Sequence, residues 1–395
     1  MSWPTVKLGD IAPSRPLKLA PIENNEEVWL LNLDMVESQS GRIINKVVGA
    51  VDEAGSSTHW FSSEHVLYSK LRPYLNKVVL PDSHGLATTE LVPMLPDPTR
   101  LDRRYLAHYL RSEKFVNWVS EQVAGAKMPR VSMKIFWDHE IPLPPLAEQK
   151  RIATILDKAD VIRQKRKQAI DLADEFLRSV FLDMFGDPVT NPKGWGKHEL
   201  SELAIKDKRA IVDGPFGASL KTDEYVSDGI PVIRINNIHD RKFVNDNFKY
   251  ITENKFKELD RSSVSRNDLL IARVGHTIGK ACVFNQDFKA LLSTTGVCKV
   301  TCDENKISVK FLEALWANNS FQKYIKAFAK GAGQPYYNLT TIKGFEIITP
   351  PLVVQEQYVS VLNRVEVSNI GMMEARQELD TMFNALSQKA FSGEL

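Results

Sequence analysis

The stretch that decides the fold runs from Pro144-Pro145-Leu146-Ala147-Glu148-Gln149 to Phe185-Gly186-Asp187-Pro188. A second copy begins at Pro350-Pro351-Leu352, 206 residues later (352 − 146), and aligns with the first without a gap. In both copies apolar residues recur at alternating spacings of three and four, which is typical of a helix that packs along its whole length against another helix. The sequence therefore predicts two long helical arms.

One face of each predicted arm carries the apolar residues that we expect to form a seam between the arms. These residues are Ile152, Ile155, Ile162, Phe176 and Val180 in the first arm and Tyr358, Val361, Met372, Leu379, Met382 and Leu386 in the second. Arg166 interrupts the first stripe, and a buried charge there would need a partner or would have to extend to solvent. An amphipathic helix on a globular core also explains one such stripe. Two copies in one register favour an antiparallel coiled coil.

The ends of the arms carry start and stop signals. Prolines are tolerated at a helix start, Glu148 suits the positive end of the helix dipole, and Gly186 can cap the far end. At a rise of ~1.5 Å per residue, each arm would be roughly 60 Å long. We therefore predict arms at 144–188 and 350–395, which separate a first domain at 1–143 from a second at 189–349.

The repeat extends beyond the arms into both domains. Residues 105–110 fall at the same 206-residue shift as residues 311–316, and both read as helices with an aromatic and aliphatic face. Loops marked by glycine and proline follow at 125–132 and 331–338. The plan is therefore domain, arm, domain, arm.

Short β-prone runs lie between these marks in both halves. They are Val66–Leu71 and Lys77–Leu80 in the first domain and Ile230–Ile235, Asp268–Val274, Ala281–Phe284 and Gly296–Val300 in the second. The first domain has no sequence counterpart of the run Gly-Ile-Pro-Val-Ile-Arg that ends at Arg234. The predicted fold class is α+β, with two pseudo-repeated α+β domains.

Composition limits the class of protein. With 395 residues, 43% of them hydrophobic, the chain can form two or three domains, and no apolar run approaches the ~20 residues that span a bilayer. The start, Met1–Lys7, lacks the apolar stretch of a signal peptide. Three cysteines, Cys282, Cys298 and Cys302, are an odd number and favour a reduced, cytoplasmic setting over a disulfide framework.

The formal net charge is only +2, but several windows of the sequence contain basic residues and no acidic residues. The basic residues in these windows include Lys70, Arg72, Lys77, Lys127, Arg130, Lys134, Arg273, His276, Lys280 and Lys330. Local basic surface is therefore expected on a nearly neutral chain.

Motifs for catalysis and for metal binding are missing. The sequence contains neither a dinucleotide-binding Gly-x-Gly-x-x-Gly nor a phosphate-binding Gly-x-x-x-x-Gly-Lys-Ser/Thr. His139-Glu140 and His198-Glu199 have no second histidine at metal spacing, and Cys298 and Cys302 lack a fourth ligand. We expect no metal site and no catalytic residues.

Two similar modules held a fixed distance apart suit the reading of two half-sites on a duplex. The order of parts resembles the specificity subunit of type I DNA restriction-modification systems, over essentially the whole chain. The motifs that carry the resemblance are Pro144–Gln149 with Ile152 and Leu156, Phe185–Pro188, Gly214–Gly217, Gly229–Arg234 through Asn237-Ile238, Asp268–Gly275 and Gly331–Asn338.

The resemblance implies two target-recognition domains, each of which reads one half of a split, asymmetric double-stranded DNA site. It also implies two adenine-N6 methyltransferase subunits docked on the arms and joined by restriction motor-nuclease subunits. S-adenosylmethionine, ATP and Mg²⁺ would be used by those partners, and this chain would bind no cofactor of its own.

Under this resemblance the basic residues would mostly hold phosphates, whereas base reading needs guanidinium forks or side-chain amides at the groove. The candidates for base reading are Arg130 with Lys127 in the first domain and Arg234, Asn236, Asn237, Arg273, Gln334 and Asn338 in the second, with Tyr336 and Tyr337 available for stacking. Each residue taken alone is explained at least as well as a solvated surface charge or, for the tyrosines, as a partly buried loop anchor.

Two other functions stay open at this point. The chain could be an enzyme fused to a DNA reader, which the missing motifs argue against. It could also be a scaffold whose paired arms bridge two proteins without reading DNA, in which case no salt-dependent duplex binding is expected.

Overall fold

The computed structural model describes residues 3–18, 27–125, 127–216, 219–293, 296–331 and 333–395. Ala126, Gly217 and Ala332, which belong to the loops and motifs singled out above, lie outside the described residues. The chain divides into two compact units. The first, unit 1, comprises residues 1–169 and 372–395, and the second, unit 2, comprises residues 170–371.

The described part of unit 1 contains short strands and several helices, one of which continues into unit 2. The strands are β1 (Thr5–Lys7), β2 (Val28–Leu31), β3 (Val47–Gly49), β4 (Thr58–Phe61), β5 (Val66–Ser69), β6 (Val78–Val79), β7 (Gly85–Thr88), β8 (Leu91–Met94), β9 (Val123–Ala124), β10 (Arg130–Val131) and β11 (Glu140–Pro142). The helices are α1 (Leu8–Ile11), α2 (Arg103–Arg111), α3 (Glu113–Glu121), α4 (Met133–Asp138) and α5 (Leu146–Phe185).

Two small sheets form the body of unit 1. One has the strand order β3-β2-β7-β4 and the other β6-β5-β8, while β1 pairs with β11. Helix α2 begins where Asp102 accepts hydrogen bonds from the backbone N–H groups of Arg104 and Tyr105, which supplies partners for otherwise unpaired donors of the first turn. Its apolar face, including Tyr105 and Leu106, is buried in the same core as β5 and β8.

Unit 2 repeats this plan with more strands. These are β12 (Gly196–Glu199), β13 (Ile211–Asp213), β14 (Ile230–Ile233), β15 (Ile238–His239), β16 (Lys242–Phe243), β17 (Lys249–Ile251), β18 (Ser263–Val264), β19 (Leu269–Ala272), β20 (Ala281–Val283), β21 (Ala290–Leu292), β22 (Val297–Val300) and β23 (Glu346–Thr349). The helices are α6 (Glu253–Glu258), α7 (Val309–Trp316), α8 (Asn319–Lys326), α9 (Leu339–Lys343) and α10 (Leu352–Ser392), which continues into unit 1.

The sheets of unit 2 have the orders β13-β22-β19-β20 and β17-β14-β21-β18, with β12 paired to β23. The β-prone runs of both domains are confirmed as strands, each slightly shorter than predicted. The run that ends at Arg234 has no sequence counterpart in the first domain, but it has a structural one. Strand β2 pairs in parallel with β7 as β14 does with β21, and buried Val28–Leu31 fills that position with an unrelated sequence.

Both arms are confirmed as single helices, of 40 and 41 residues. Each begins with the same anchor, a glutamine whose side chain is fully buried. The Gln149 amide accepts a hydrogen bond from the Asp102 N–H at 2.8 Å and donates to the Pro144 carbonyl. Gln355 accepts from the Ser308 N–H at 2.9 Å and donates to Pro350. Because each amide satisfies backbone groups of the globular body and of the proline pair, it fixes the start of its arm.

In unit 1 the first part of α5 packs against the last part of α10. Ala390 shares a buried cluster with Ile152, and Arg163 donates a hydrogen bond to Asp380 at 2.6 Å. The Arg163 guanidinium also lies 4.3 Å from the centre of the Phe383 ring. Because contacts move towards the start of α10 as the chain advances along α5, the two helices run antiparallel, as predicted.

In unit 2 the end of α5 packs against the start of α10. The Tyr358 ring meets Phe181 and Phe185 edge to face, at centroid distances of 5.4 Å and 5.5 Å. Arg241, after strand β15, forms an ion pair with Glu366 of α10 at 2.5 Å. The arm segment is therefore part of the hydrophobic core of this unit.

The seam itself differs from the predicted one. Ile152 and Tyr358 are buried, whereas Ile162, Phe176 and Met382 are 53%, 51% and 67% exposed, so their predicted seam positions are wrong. Ile155, Val180, Val361, Met372, Leu379 and Leu386 are half-buried at its margins.

The observed seam of the first arm contains Leu156, Arg163, Ile170 and Leu177, which are spaced seven residues apart. Each lies one residue after a position of the predicted stripe. The sequence did not predict this register, because Arg163 is polar and the apolar pattern alone favours the neighbouring face of the helix. Arg166 is half-buried and makes no ion pair among the residues that the structure describes. Within that part of the chain, no helix is long and apolar enough to cross a membrane.

Candidate nucleic-acid interface

A short hairpin recurs in both units at the loops that the repeat marked. In unit 1 it joins β9 to β10 and turns at Gly125, whose φ is +102°. In unit 2, Lys330 and Tyr336 exchange two backbone hydrogen bonds of 3.0 Å and 2.8 Å, and Gly331 has a φ of +93°. A Cβ at Gly331 would lie 2.6 Å from the Gln334 carbonyl oxygen. The turn therefore requires glycine.

The hairpin of unit 1 docks on the segment that follows strand β5. The Arg72 N–H donates to the Pro129 carbonyl at 2.8 Å, and the Val131 N–H donates to the Lys70 carbonyl at 3.1 Å. The Lys70 N–H in turn donates to the Glu90 carbonyl at 3.0 Å. Two of these hydrogen bonds fix the hairpin to the segment after β5, and the third ties that segment to the residue before β8.

Unit 2 uses the same three links after strand β19. The Gly275 N–H donates to Pro335 at 2.8 Å, the Tyr337 N–H donates to Arg273 at 2.8 Å, and the Arg273 N–H donates to Gly296 at 3.0 Å. The backbone therefore defines equivalent positions in the two units. They pair Lys70 with Arg273, Arg72 with Gly275, Glu90 with Gly296, Arg130 with Tyr336 and Val131 with Tyr337.

The hairpin of unit 1 has a charged surface. The Arg130 Nε donates to both carboxylate oxygens of Glu90 at 3.1 Å, and Nη2 donates to Oε1 at 2.8 Å. The hydrogen bonds from Arg130, with the charge of Lys70, hold the pKa of Glu90 below its usual value. Arg72 and Lys127 are exposed nearby and make no ion pair within the described residues. Two cations, Arg130 and Lys70, thus act on the Glu90 carboxylate, and two more, Arg72 and Lys127, lie on the hairpin or on the segment to which it is bonded.

Two other basic candidates of unit 1 differ in their surroundings. Lys134 is exposed on α4. Lys77 points inward and donates to the Leu33 carbonyl at 2.6 Å, and burial lowers the pKa of its ammonium group. The structure therefore assigns Lys77 to holding the loop before β3, which argues against the predicted phosphate contact.

Arg273 does not reach the surface of unit 2, so its predicted role in base reading is contradicted. Its side chain is 11% exposed; Nη1 donates to Asp213 Oδ2 at 2.6 Å and Nε donates to the Tyr337 carbonyl at 2.9 Å. Asp213 is itself 6% exposed and ends strand β13. This buried pair ties the hairpin to β13, and the sequence gives no signal that joins two residues so far apart.

Tyr337 and Asn237 are also buried, and stacking or base reading by them is contradicted. The Tyr337 ring is inaccessible and meets Phe345 edge to face at 5.5 Å; burial raises the pKa of its hydroxyl to about 12. The Asn237 amide accepts from the Arg234 N–H and donates to the carbonyls of Val244 and Asp246. Both residues shape the fold around the site.

The other candidates of unit 2 keep some access to solvent. Asn236, His276, Lys330, Gln334 and Tyr336 are exposed, and Lys280 is half-buried 4.0 Å from Asp240. The half-buried Asn338 caps α9 by accepting from the Thr341 N–H at 2.7 Å. The exposed tip of this hairpin is therefore an amide and an aromatic ring in place of the cations of unit 1.

Arg234 borders a cavity of about 260 Å³ beside this hairpin. Its Nη2 donates to the Asn247 carbonyl, and its buried Nε has no partner among the described residues. Tyr225, Ile235, Val274, Ser293, Gly296 and Val297 complete the lining. The guanidinium is therefore held by one hydrogen bond, and its buried Nε–H is unpaired within the part of the chain that the structure describes.

Groups that could hold a metal or act as a nucleophile do not come together. Within the described ranges, three or more His, Cys, Asp or Glu side chains nowhere form a metal-binding cluster. Cys282, Cys298 and Cys302 are free and buried, and burial raises the pKa of the Cys298 and Cys302 thiols to about 12. Their thiolates are disfavoured, as in inert structural cysteines.

Comparison with known families gives a direct match. The family model described as "Type I restriction modification DNA specificity domain" matches residues 2–172 and again residues 192–379. The chain belongs to this specificity family. The two matches correspond to the repeat, so each half of the chain carries one DNA specificity domain.

Curated members of the specificity family are similar over most of the chain. The type I restriction enzyme MjaVIII specificity subunit of Methanocaldococcus jannaschii is 24% identical over 72% of this chain and 69% of its own length. The StySPI specificity subunit of Salmonella potsdam is 27% identical over 74% of this chain and 65% of its length. The aligned region thus spans about two thirds of each relative.

Solved structures of the same kind share the fold. The type I restriction-modification S subunit of M. genitalium superposes with a TM-score of 0.55 at 15% identity and covers 98% of this chain and 96% of its own. A chain from a study of complex assembly in a type I restriction-modification system has a TM-score of 0.55 at 18% identity, over 100% and 98% of the two chains. The architecture is therefore that of a type I specificity subunit.

Proposed function

We propose that the chain reads a split, asymmetric DNA site, with one half read by each specificity domain. The observation that carries the proposal is the duplicated hairpin, which three equivalent backbone hydrogen bonds hold in each unit. The frame is the same, whereas the exposed side chains differ at nearly every equivalent position. Two modules that share a frame and differ in side chains suit two half-sites of different sequence.

The side chains suggest a division of work between the two hairpins. In unit 1, Arg72, Lys127 and Lys134 are placed to hold phosphates, and Arg130 presents a guanidinium fork. In unit 2, Gln334 and Asn236 offer amides, and the 42%-exposed Tyr336 offers a ring for apolar contact with a base. The first half-site would therefore contribute more of the salt-sensitive affinity.

The chain would act without chemistry of its own and would supply sequence recognition to partner subunits. We propose two adenine-N6 methyltransferase subunits that use S-adenosylmethionine, joined by restriction subunits that use ATP and Mg²⁺. Support comes from the names of the relatives and from large exposed apolar side chains on the arms. These include Val161 and Met373 in unit 1 and Leu172, Phe176 and Val367 in unit 2, and their exposed surface is available for contacts with partner proteins.

The test is a genome-wide map of adenine methylation in cells that express this chain with its modification subunit, against cells that lack only this chain. We expect one split, asymmetric motif that depends on the chain. If the complex assembles and methylates without any new motif, sequence reading fails, and a scaffold that only bridges proteins is left. Methylation by the chain alone would instead establish an enzyme.

A further inference from the structure

The ion pair between Arg130 and Glu90 leaves a defined part of the guanidinium free. Of the five N–H donors of an arginine, Nε–H and one Nη2–H bind Glu90 and one Nη1–H reaches the Met128 carbonyl at 3.3 Å. One hydrogen on each Nη atom is left without a partner among the described residues. The side chain is 40% exposed, so this part of it is accessible.

The Glu90 side chain takes no part in the backbone hydrogen bonds that hold the hairpin. The equivalent hairpin of unit 2 is fixed by the same three backbone hydrogen bonds, although Gly296 stands where unit 1 has Glu90 and Tyr336 where it has Arg130. A carboxylate on a surface that binds phosphates also opposes binding in general. The Glu90 side chain therefore calls for a role other than support of the backbone.

We propose that Glu90 is a specificity-determining residue, which holds Arg130 end-on to a guanine in the half-site read by unit 1. This inference rests on the proposed DNA-reading function. Guanine offers the N7 and O6 acceptors that a bidentate arginine prefers in the major groove, and two free Nη hydrogens match them. A phosphate would bind Arg130 more weakly than guanine does, because the nearby carboxylate repels it. Glu90 thus orients the fork and disfavours non-specific contacts.

Two variants separate orientation from charge. Glu90→Gln removes the negative charge and one strong acceptor, and Arg130→Lys keeps the positive charge but removes the fork. Glu121→Gln is the matched control, because it makes the same charge change two residues before the hairpin, in an exposed side chain that forms no ion pair with any described residue. Each variant is tested in the full chain with its modification subunit, and assembly and melting temperature are checked first.

The first readout is the methylation map. We expect one strongly preferred guanine in the half of the motif read by unit 1, a preference that Arg130→Lys abolishes and Glu90→Gln relaxes. The other half and the spacer should not change. If the wild-type chain yields a motif and neither variant alters it, this inference is wrong while DNA reading stands; if the wild-type chain yields no motif, the proposed function itself fails.

The second readout is binding of a random-sequence duplex by the purified complex across a series of KCl concentrations. Glu90→Gln should tighten this non-specific binding by roughly fivefold at low salt and steepen the salt slope by about 0.9, the value for one more phosphate contact. Glu121→Gln should stay near wild type. A Glu90→Gln variant that assembles and binds random duplex as wild type does would overturn the proposed role of the carboxylate.

Discussion

At the scale of single residues, the most consequential group in unit 2 is the buried pair of Arg273 and Asp213. The guanidinium bonds both the carboxylate and the Tyr337 carbonyl, so it joins a strand end to the hairpin. Buried charges contribute little net stability when paired but cost much when one partner is removed. The pair therefore fixes the position of the hairpin relative to β13.

Asp213→Ala should lower the free energy of unfolding of unit 2 by about 3 kcal/mol, because it leaves the Arg273 charge buried without its carboxylate. Urea denaturation followed by fluorescence measures this loss. The control is Asp260→Ala, which breaks the exposed pair with Arg209 and should cost under about 1 kcal/mol. Equal losses in both variants would contradict this role of the pair.

His139 gives unit 1 a dependence on pH. Its Nε2 bonds the Tyr109 hydroxyl at 2.8 Å, and its ring lies 3.8 Å from that of Trp118. Burial, with a smaller effect of Lys114, lowers the pKa of this imidazole to about 4, against an ordinary value of 6.5. The folded protein therefore keeps the ring neutral at pH values where the unfolded chain binds a proton.

Because the pKa is lower in the folded state, the stability that His139 supports is complete above about pH 6.5 and is lost as the pH falls towards 4. We predict that the melting temperature of the wild-type chain falls more between pH 7 and pH 4.5 than that of His139→Gln, which does not titrate there. Carboxylates contribute equally to both proteins. Parallel melting curves across this range would rule out the effect.

The sequence identified which windows are basic, but not which of their basic side chains are exposed to solvent. Arg130 and Arg273 both lie in windows without acids, yet the first is partly exposed and the second is locked in the interior by Asp213. Likewise Asn237 and Tyr337 look like surface groups in the sequence and are buried. Such burial depends on partners many residues away, which no local pattern contains.

At the scale of elements, the hairpin is the unit that both halves of the chain repeat. Its turn depends on a glycine with positive φ, and its base is fixed by hydrogen bonds of the backbone, which tolerate different side chains. Sequence and specificity can therefore change at the tip while the frame stays constant. This is the property expected of a recognition element carried on a rigid scaffold.

Gly331→Ala should disturb the hairpin of unit 2 at a local cost of about 1 to 2 kcal/mol, because a side chain is strained at this φ and meets the Gln334 carbonyl. The expected result is weaker or degenerate methylation of the half-site read by unit 2. Gly333→Ala is the matched control, since a Cβ there meets nothing within 4 Å. Intact reading in Gly331→Ala would show that the hairpin is not used.

The arms show which features of a long helix can be predicted from the sequence pattern and which cannot. Repeat, length, caps and antiparallel direction all followed from apolar spacing and the Pro-Pro starts, whereas the seam register did not. The true seam contains Arg163, Asn369 and Ser387, which are polar residues at packed positions. Arg163 is accommodated because Asp380 and Phe383 receive it, and such compensation appears only in three dimensions.

At the scale of the whole molecule, each unit combines one specificity domain with segments of both arms. Unit 1 takes the first part of α5 and the last part of α10, and unit 2 takes the remaining parts. The end of the chain therefore completes the core of unit 1, where Ala390 is buried. Duplication of one module, which consists of a domain and the arm that follows it, accounts for the presence of segments of both arms in each unit.

The central claim is that the two domains read separate halves of one site. We would replace residues 189–349 with the corresponding segment of another family member, leave both arms in place, and map adenine methylation in cells that supply the modification subunit. The account predicts that one half of the motif changes while the other half and the spacer length stay the same. A change in both halves, or in the spacer alone, would contradict it.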